Sequence, residues 1–354
     1  MQRFAALRVA SSGVTGTLAG TRCARCTCRG GHAKCVISRG HHKSLRPTRP
    51  DLYGESVRLR TVDIGVPLRF ADYGGEGSPI VLLHGLGGNH LNWMRFAPEL
   101  TRHGRVLVPD LPGFGGTPPL PQGTSISTLR RSVVRFLDHA APGPVTLIGN
   151  SLGGVLSMMA ATELSRVRRL VLVSPAVPHA YFEPIDLHAF LTMGAALVPG
   201  FGPATVQTKP ERVGADRYVR DFMTLVAHEP RRVPEDVIAA HAELARGRSN
   251  QPWMGTAFSE ALRSLSWLLL NRLHFFSIVR SVSVPTLVLA GERDRLVAAR
   301  SIREACEYNR SFELRSWSDV GHVAQLETPE RVLAEVSSFF ACHPAAPVEP
   351  HIAA

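Results

Sequence analysis

The sequence predicts an α/β fold, in which one mostly parallel, doubly wound sheet of eight strands is covered by helices on both faces. Two observations lead to this prediction. Short apolar runs recur along the chain and alternate with stretches of helical periodicity, which is typical of a buried parallel sheet. This alternation is interrupted once, between residues 174 and 285, where helical patterns follow one another without a strand.

The strands are predicted in chain order. Residues 57–64 and 66–71 alternate between apolar and polar side chains and are joined by Gly65, which indicates an antiparallel hairpin at the start of the sheet. Six further strand-like runs occupy residues 80–83, 106–108, 145–148, 170–173, 286–289 and 312–315.

Helices are expected between these strands, at residues 93–102, 126–139, 152–164, 298–306 and 329–340. The last has Thr328 at its N-cap and Pro329 at the first helical position. Proline and glycine separate four more helical patterns in the interrupted stretch, at residues 186–197, 216–227, 234–245 and 255–276. Their many Leu, Phe, Met and Trp side chains are expected to form mostly a core of their own, with a minority lining an acyl or aryl pocket.

The charge of the chain is concentrated at its start. The 354 residues carry a formal charge of +11, but residues 1–50 hold ten Lys or Arg and no Asp or Glu. The remaining residues contain 30 basic and 29 acidic side chains, a balance of +1. The high charge is therefore no indication that the body of the protein binds nucleic acid.

The basic segment also contains four of the six cysteines, Cys23, Cys26, Cys28 and Cys35. A zinc site and a transit peptide are the functional interpretations, but the segment has few apolar residues to surround a metal and poor helical amphipathicity. A disordered extension is preferred. With only Cys306 and Cys342 elsewhere and no run of 18 apolar residues, we expect no disulfide framework, no transmembrane helix and a cytoplasmic location.

A serine flanked by glycines stands where a strand passes into a helix. Gly149-Asn150-Ser151-Leu152-Gly153 follows the apolar run 145–148 and precedes the helical stretch. This G-x-S-x-G pattern predicts a nucleophile elbow, a strained turn that exposes the serine hydroxyl. Residues without bulk are needed on either side because strand and helix approach closely there.

Three other motifs follow strand-like runs. His84-Gly85-Leu86-Gly87-Gly88 comes after residues 80–83, Gly291-Glu292-Arg293-Asp294 after residues 286–289, and Gly321-His322 after residues 312–315. A serine hydroxyl needs a base to take its proton, and a histidine held by a carboxylate is the usual one. The order serine, acid, histidine is therefore present.

These motifs together resemble the α/β-hydrolase family over roughly residues 56–341. The resemblance implies Ser151 as nucleophile, His322 as base and Asp294 as acid, with the backbone N–H groups of Leu86 and Leu152 forming the oxyanion hole. Glu292 and Asp319 are rival acids. Their positions, early in the turn and only three residues before the histidine, make both less suitable. His84 and Asp110 are expected to shape loops.

The resemblance also implies a domain organisation and a chemistry. We expect a core at residues 51–174 and 281–342, a helical cap at 175–280, and tails at 1–50 and 343–354. A serine in place of an aspartate nucleophile argues against epoxide hydrolase and haloalkane dehalogenase chemistry. The predicted function is hydrolysis of a carboxylic ester, or a related acyl bond, of a small lipophilic molecule, without a cofactor or metal.

Two alternatives remain. The motifs are also similar to those of carbon–carbon bond hydrolases of ring-fission products, although Val323 stands where those enzymes usually have Trp and the usual Gly-Pro-Gly is missing after His84. Alternatively, the protein binds zinc, nucleic acid or an anionic surface through its basic extension, which has very few aromatic residues for nucleic-acid recognition. Removing residues 1–50 would distinguish this second alternative from hydrolysis.

Overall fold

The computed structural model describes residues 57–181, 184, 186–247 and 251–344. The predictions for the basic extension, its four cysteines and most of the C-terminal tail lie outside these residues. The described residues belong to one compact unit, Thr48–Ala354, which contains both the sheet and the helices inserted into it.

The predicted eight-stranded α/β sheet is confirmed. Its strands are β1 (Arg58–Asp63), β2 (Pro67–Gly74), β3 (Pro79–Leu83), β4 (Arg105–Pro109), β5 (Val145–Asn150), β6 (Val167–Val173), β7 (Thr286–Gly291) and β8 (Phe312–Trp317). The spatial order is β1-β2-β4-β3-β5-β6-β7-β8. β2 pairs antiparallel with β1 and β4, and every other pairing is parallel.

The sheet is buried on both faces because alternate side chains enter two separate cores. Val81 and Leu83 of β3 lie in one core and Ile80 and Leu82 in the other. Every residue of β5 and of β7 is buried. The continuous apolar runs seen in the sequence are thus the central strands of a covered sheet.

Helices cover both faces. They are α1 (Ala97–Leu100), α2 (Ile126–Ala140), α3 (Leu152–Glu163), α10 (Ala299–Glu307), α11 (Ala324–Glu327) and α12 (Pro329–Cys342), with a short 3₁₀ helix at His90–Trp93. Side chains from α2, α3 and α10 fill one core, and those from α1 and α12 fill the other. This two-sided arrangement places the carboxyl ends of the parallel strands along one open edge, where loops can gather a site.

The described residues of the interrupted stretch between β6 and β7 form six α-helices. They are α4 (Leu187–Leu197), α5 (Phe201–Val213), α6 (Ala215–Val226), α7 (Glu235–Arg246), α8 (Met254–Leu270) and α9 (Arg272–Ser281), with a 3₁₀ turn at Pro230–Arg232. A core within this group is centred on α6 and α7. No single helix in the described ranges is long and apolar enough to span a membrane, although α4 and α5, bent by 111°, would pass such a test as a pair.

The observed helices differ from the predicted ones in three places. The expected helix at 255–276 is two helices, because Asn271 ends α8 and its side-chain oxygen accepts the His274 N–H at 3.2 Å to start α9. α5 was not among the predicted helices, and it contains Pro203 and Pro210. Pro203 lies in the first turn, where a missing N–H costs no intrahelical bond.

The third difference concerns the expected helix at 93–102. The chain there forms a 3₁₀ helix at His90–Trp93 and then the single turn of α1. Asn89 and Asn92 form a reciprocal capping box around the 3₁₀ helix, which fixes its start three residues earlier than the apolar pattern suggested.

Candidate active site

Ser151 occupies a strained turn between β5 and α3. Its φ of +53° and ψ of −116° lie in a region that side chains rarely adopt. A Cβ added at Gly149 would lie 2.3 Å from the carbonyl oxygen of Gly153, and one at Gly153 would lie 2.2 Å from that of Leu83. Both flanking positions therefore require glycine, as the motif predicted, and the elbow geometry is present.

His322 and Asp294 meet across two neighbouring loops. His322 follows β8 and donates from Nδ1 to Oδ2 of Asp294, which follows β7, at 2.6 Å. The other carboxylate oxygen, Oδ1, accepts the N–H groups of Leu296 at 2.8 Å and Val297 at 2.9 Å. Both oxygens of this fully buried side chain are thus engaged, which holds the imidazole in one orientation and leaves Nε2 as its acceptor.

The rival carboxylates point elsewhere. Glu292 lies beside Ser316, whose hydroxyl donates to it at 3.2 Å, and its carboxylate is 3.7 Å from Arg303. Asp319 is half exposed and forms ion pairs with Arg232 at 3.2 Å and Arg331 at 2.8 Å. Neither carboxylate is hydrogen-bonded to His322 in the described structure.

The loop after β3 lies against the serine elbow. A Cβ at Gly85 would be 3.2 Å from the Cβ of Ser151, and Gly87 turns the chain with a φ of +72°. Leu86 lies between them and lines the same cavity as Ser151. Leu152 is the first residue of α3, so its N–H has no intrahelical acceptor. The two predicted oxyanion-hole residues therefore flank the serine on either side.

His84 holds this loop, as expected. Its Nδ1 donates to the carbonyl oxygen of Gly85 at 2.8 Å, and its Nε2 accepts the N–H of Leu111 at 3.0 Å. Burial lowers the pKa of the His84 imidazole, which agrees with the neutral tautomer that these two bonds require. Its role here is to tie the loop after β3 to the loop after β4.

Asp110 braces the second of these loops. Its fully buried carboxylate accepts bonds from His90 Nδ1 at 2.8 Å, from the His90 backbone N–H at 2.7 Å and from the Gly116 N–H at 2.7 Å. Burial alone would raise the pKa of the Asp110 carboxyl, but His90 and these donors lower it to about 2. The His90–Asp110 pair was not predicted, because its partners are 20 residues apart and only the folded loops bring them together.

Asn150, which was quoted only as part of the serine motif, connects two parts of the site. Its side-chain amide donates to the carbonyl oxygens of Val173 at 3.0 Å and His322 at 3.1 Å. The residue before the serine therefore fixes the backbone of the histidine, a link that no local pattern indicates.

Glu327 is the second residue whose role the sequence did not show. Its buried carboxylate accepts the N–H groups of Gly321 at 3.3 Å, His228 at 2.8 Å and Glu229 at 3.4 Å, and burial raises the pKa of this carboxyl. The backbone N–H of His322 also donates to the carbonyl of Val226, at 2.7 Å. The histidine loop is thereby joined to the end of α6.

Ser151 and His322 line one apolar cavity of about 180 Å³. Its floor is formed by the loops at the carboxyl ends of the strands, and its walls come largely from the helices between β6 and β7. Those walls include Met193, Phe222, Phe258, Leu262, Leu265 and Leu269. No Asp, Glu, Lys or Arg among the described residues lines it.

The fold agrees with comparisons to known proteins. Residues 78–329, well over half of the chain, match the family model of the alpha/beta hydrolase fold. The chain is 28% identical over 274 residues to 2-hydroxy-6-oxo-2,4-heptadienoate hydrolase of Pseudomonas putida, covering 75% of this chain and 90% of that protein. It is 23% identical over 295 residues to Lipase 3 of Moraxella sp., covering 82% and 86%.

A solved structure shows the same fold. The thermophilic esterase from Thermogutta terrifontis superposes with a TM-score of 0.61 at 21% identity, over 81% of this chain and 99% of that one. The two relatives are thus named a hydrolase and a lipase, and the esterase shares the fold. The family match over residues 78–329 decides the assignment, and the chain belongs to the α/β-hydrolase fold family of enzymes.

Proposed function

We propose that this enzyme is a serine hydrolase that cleaves a carboxylic ester of a lipophilic small molecule through an acyl-enzyme. One observation carries the proposal: the strained Ser151 and the Asp294-bound His322 line the same apolar cavity. A nucleophile, a correctly oriented base and an acid that holds the base are the components of acyl transfer.

The reaction begins with Ser151. Its Oγ attacks the ester carbonyl carbon while Nε2 of His322 takes the hydroxyl proton. Asp294 stabilises the imidazolium that results, through the 2.6 Å bond to Nδ1. The imidazolium then donates its proton to the alcohol oxygen, which leaves. A water molecule, deprotonated by His322 in turn, attacks the acyl carbon, and His322 returns this proton to Ser151 Oγ as the bond between Oγ and the acyl carbon breaks and the acid leaves.

The negative charge on the carbonyl oxygen is assigned to the backbone N–H groups of Leu86 and Leu152. Two supports are the closeness of Gly85 to Ser151 and the place of Leu152 at the positive end of α3. The bonds of His84 and Asp110 hold the loops in place before substrate arrives, so that no reorganisation is needed as the charge develops.

The substrate class follows from the cavity walls. Burying a charged group costs free energy unless a partner of opposite charge is present, and no charged side chain of the described residues lines this cavity. We therefore assign an uncharged, apolar acyl or alcohol group to it. Residues 175–280 act in this proposal as a cap whose helices α4, α6 and α8 supply most of the apolar wall.

Carbon–carbon bond hydrolysis is the second candidate, favoured by the similarity to the heptadienoate hydrolase. The substrate in that relative's name is a carboxylate, and a cation would be expected to receive it. No Lys or Arg of the described residues lines the apolar cavity. Val323, which stands where those enzymes usually have Trp, is part of its lining. We rank ester hydrolysis first for this reason.

A side-by-side assay tests the choice. The purified enzyme is given a short p-nitrophenyl ester and a dienone acid, with Ser151→Ala as the control for background hydrolysis. Turnover of the ester well above that of the dienone acid is expected. Preferred cleavage of the dienone acid would make carbon–carbon hydrolysis the function, and no serine-dependent turnover of either would contradict both candidates.

A further inference from the structure

The large apolar side chains that the described residues leave exposed are concentrated between β6 and β7. Ten of the eleven lie at positions 181–273, and only Tyr308 lies outside. Six of them form what we call the apolar rim, and each is 57–85% exposed. The apolar rim comprises Leu187, Phe190 and Leu191 of α4, Trp267 and Leu270 of α8, and Leu273 at the start of α9.

The apolar rim adjoins the mouth of the Ser151 cavity. α4 and α8 pack against each other, and each presents one face to the cavity and another to solvent. Met193, one turn after Phe190, lines the cavity. Ser266 and Leu269 also line it and directly precede Trp267 and Leu270. The same two helices therefore provide both the cavity wall and the exposed apolar surface beside it.

The apolar rim is large for an exposed surface, and the chain beside it is low in charge. Aromatic and aliphatic side chains more than half exposed contribute on the order of 100 Å² each, so the six together expose about 600 Å². This is the upper end of the range of about 300–600 Å² for the largest apolar patch on a typical monomer, and such patches are often functional. Moreover, the 22 residues from Leu187 to Thr208 include no Asp, Glu, Lys or Arg. A patch of this kind marks an interaction site.

We propose that the apolar rim docks the enzyme on the surface of a phospholipid bilayer, with the cavity mouth facing the lipid. This rests on the proposed hydrolysis of a lipophilic ester. Trp, Phe and Leu on one side of short helices are suited to the boundary between headgroups and acyl chains. α4 and α5 turn by 111° from one to the other, so this apolar stretch folds back along the protein surface. A lipophilic substrate would then pass from the bilayer into the cavity without crossing water.

The test measures binding and hydrolysis separately in the full-length protein. Leu191→Asp combined with Leu270→Asp places two charges in the apolar rim, at exposed positions that do not line the cavity. Ser338→Asp is the control. Ser338 is exposed and lies near the end of α12, a helix that covers the sheet and is not one of the inserted helices. Vesicles of phosphatidylcholine are the probe. Flotation and the fluorescence of Trp267, the exposed one of four tryptophans, report binding.

The wild type and Ser338→Asp should float with the vesicles, and the Trp267 emission should shift to the blue, also at high salt. The double variant should bind at least about tenfold more weakly, because a carboxylate resists leaving water. All three should hydrolyse a soluble short-chain ester equally, and this readout reports the proposed function independently of the docking surface.

Three results would overturn the proposal. The first is a wild type that does not bind the vesicles, or a double variant that binds as well as the wild type. The second is binding that requires anionic lipid and disappears at high salt, since this would assign attachment to the basic residues 1–50. The third is a wild-type dimer that the double variant turns into a monomer, since a second copy would then cover the apolar rim.

Discussion

At the residue scale, each group of the proposed triad is held by its neighbours. Ser151 keeps a left-handed φ because Gly149 and Gly153 allow strand and helix to meet around it. Asp294 has one oxygen on His322 and the other on two backbone N–H groups, so it has little freedom to turn away. Such preorganisation is what separates a reactive triad from three polar residues in a cavity.

Replacing Ser151 by Ala should lower hydrolysis by about 10³-fold or more, because only binding and oxyanion stabilisation would remain. Thermal unfolding should be close to that of the wild type. Steady-state kinetics and circular dichroism check both expectations. A fluorophosphonate probe that labels a different serine in the wild type would show that the nucleophile has been misassigned.

Asp294→Asn and Glu292→Gln form a matched pair within one turn. Asn keeps the size of the side chain but loses the charge that stabilises the imidazolium, so kcat should fall by roughly 10⁴-fold. Glu292→Gln should change kcat very little, because that side chain contacts Ser316 and Arg303. An inactive Gln variant beside an active Asn variant would identify Glu292 as the acid.

At the scale of elements, the site is a set of loops that buried hydrogen bonds join to one another and to α6. The loops after β3 and β4 are joined through His84, and the loop after β4 is held by the buried pair of Asp110 and His90. The loop after β8 is joined to α6 through Glu327 and the backbone of His322. Hydrogen bonds thus connect the inserted helices to the histidine loop, so a shift of α6 would change the position of His322.

Asp110→Asn should destabilise the fold at neutral pH by about 3–5 kcal/mol, because it breaks a buried, hydrogen-bonded pair. Since folding lowers the pKa of Asp110 to about 2, its stabilisation is fully present above the unfolded carboxyl's pKa and is lost as the pH falls through the folded value. The difference in unfolding free energy should therefore shrink below about pH 4. Urea unfolding across this range measures it.

The control is Asp138→Asn. Asp138 lies on α2, and the change removes its ion pair with Arg166, which is partly exposed to solvent. A half-exposed pair contributes at most about 1 kcal/mol. If both variants lowered the free energy of unfolding by the same small amount, the buried pair of Asp110 and His90 would not contribute to stability as inferred.

At the scale of the whole molecule, all eight strands of the sheet and both of its cores are formed by described residues from β1 onward, with β1 paired to β2 at one end of the strand order. The chain without residues 1–50 should therefore fold and hydrolyse esters at the wild-type rate. Thermal unfolding and kcat/KM are the measurements. Unfolding of the truncated chain, or stoichiometric zinc bound through Cys23, Cys26, Cys28 and Cys35, would show that the extension is structural.

Local chemistry determined most of the fold. Alternation around Gly65 predicted the first two strands, and short runs bounded by turns predicted the other six and the position of the insertion after the sixth. Runs of this kind are informative because a parallel strand buried on both faces is mostly apolar. Helix boundaries were less predictable. Asn271 and the Asn89–Asn92 capping box divide helices by side-chain bonds that compete with an apolar pattern running straight through them.

For the site, the sequence by itself determined which residue types follow which strands, and hence Ser151, Asp294 and His322 as candidates. Glycine spacing and chain order carry that information because a tight turn constrains composition locally. The sequence already favoured Asp294 over Glu292 and Asp319, but only the tertiary structure shows that Asp294 is the one hydrogen-bonded to His322. It alone revealed the links of Asn150 and Glu327 to the histidine loop. Those contacts join residues far apart in the chain, and their direction depends on how loops at one sheet edge fold against each other.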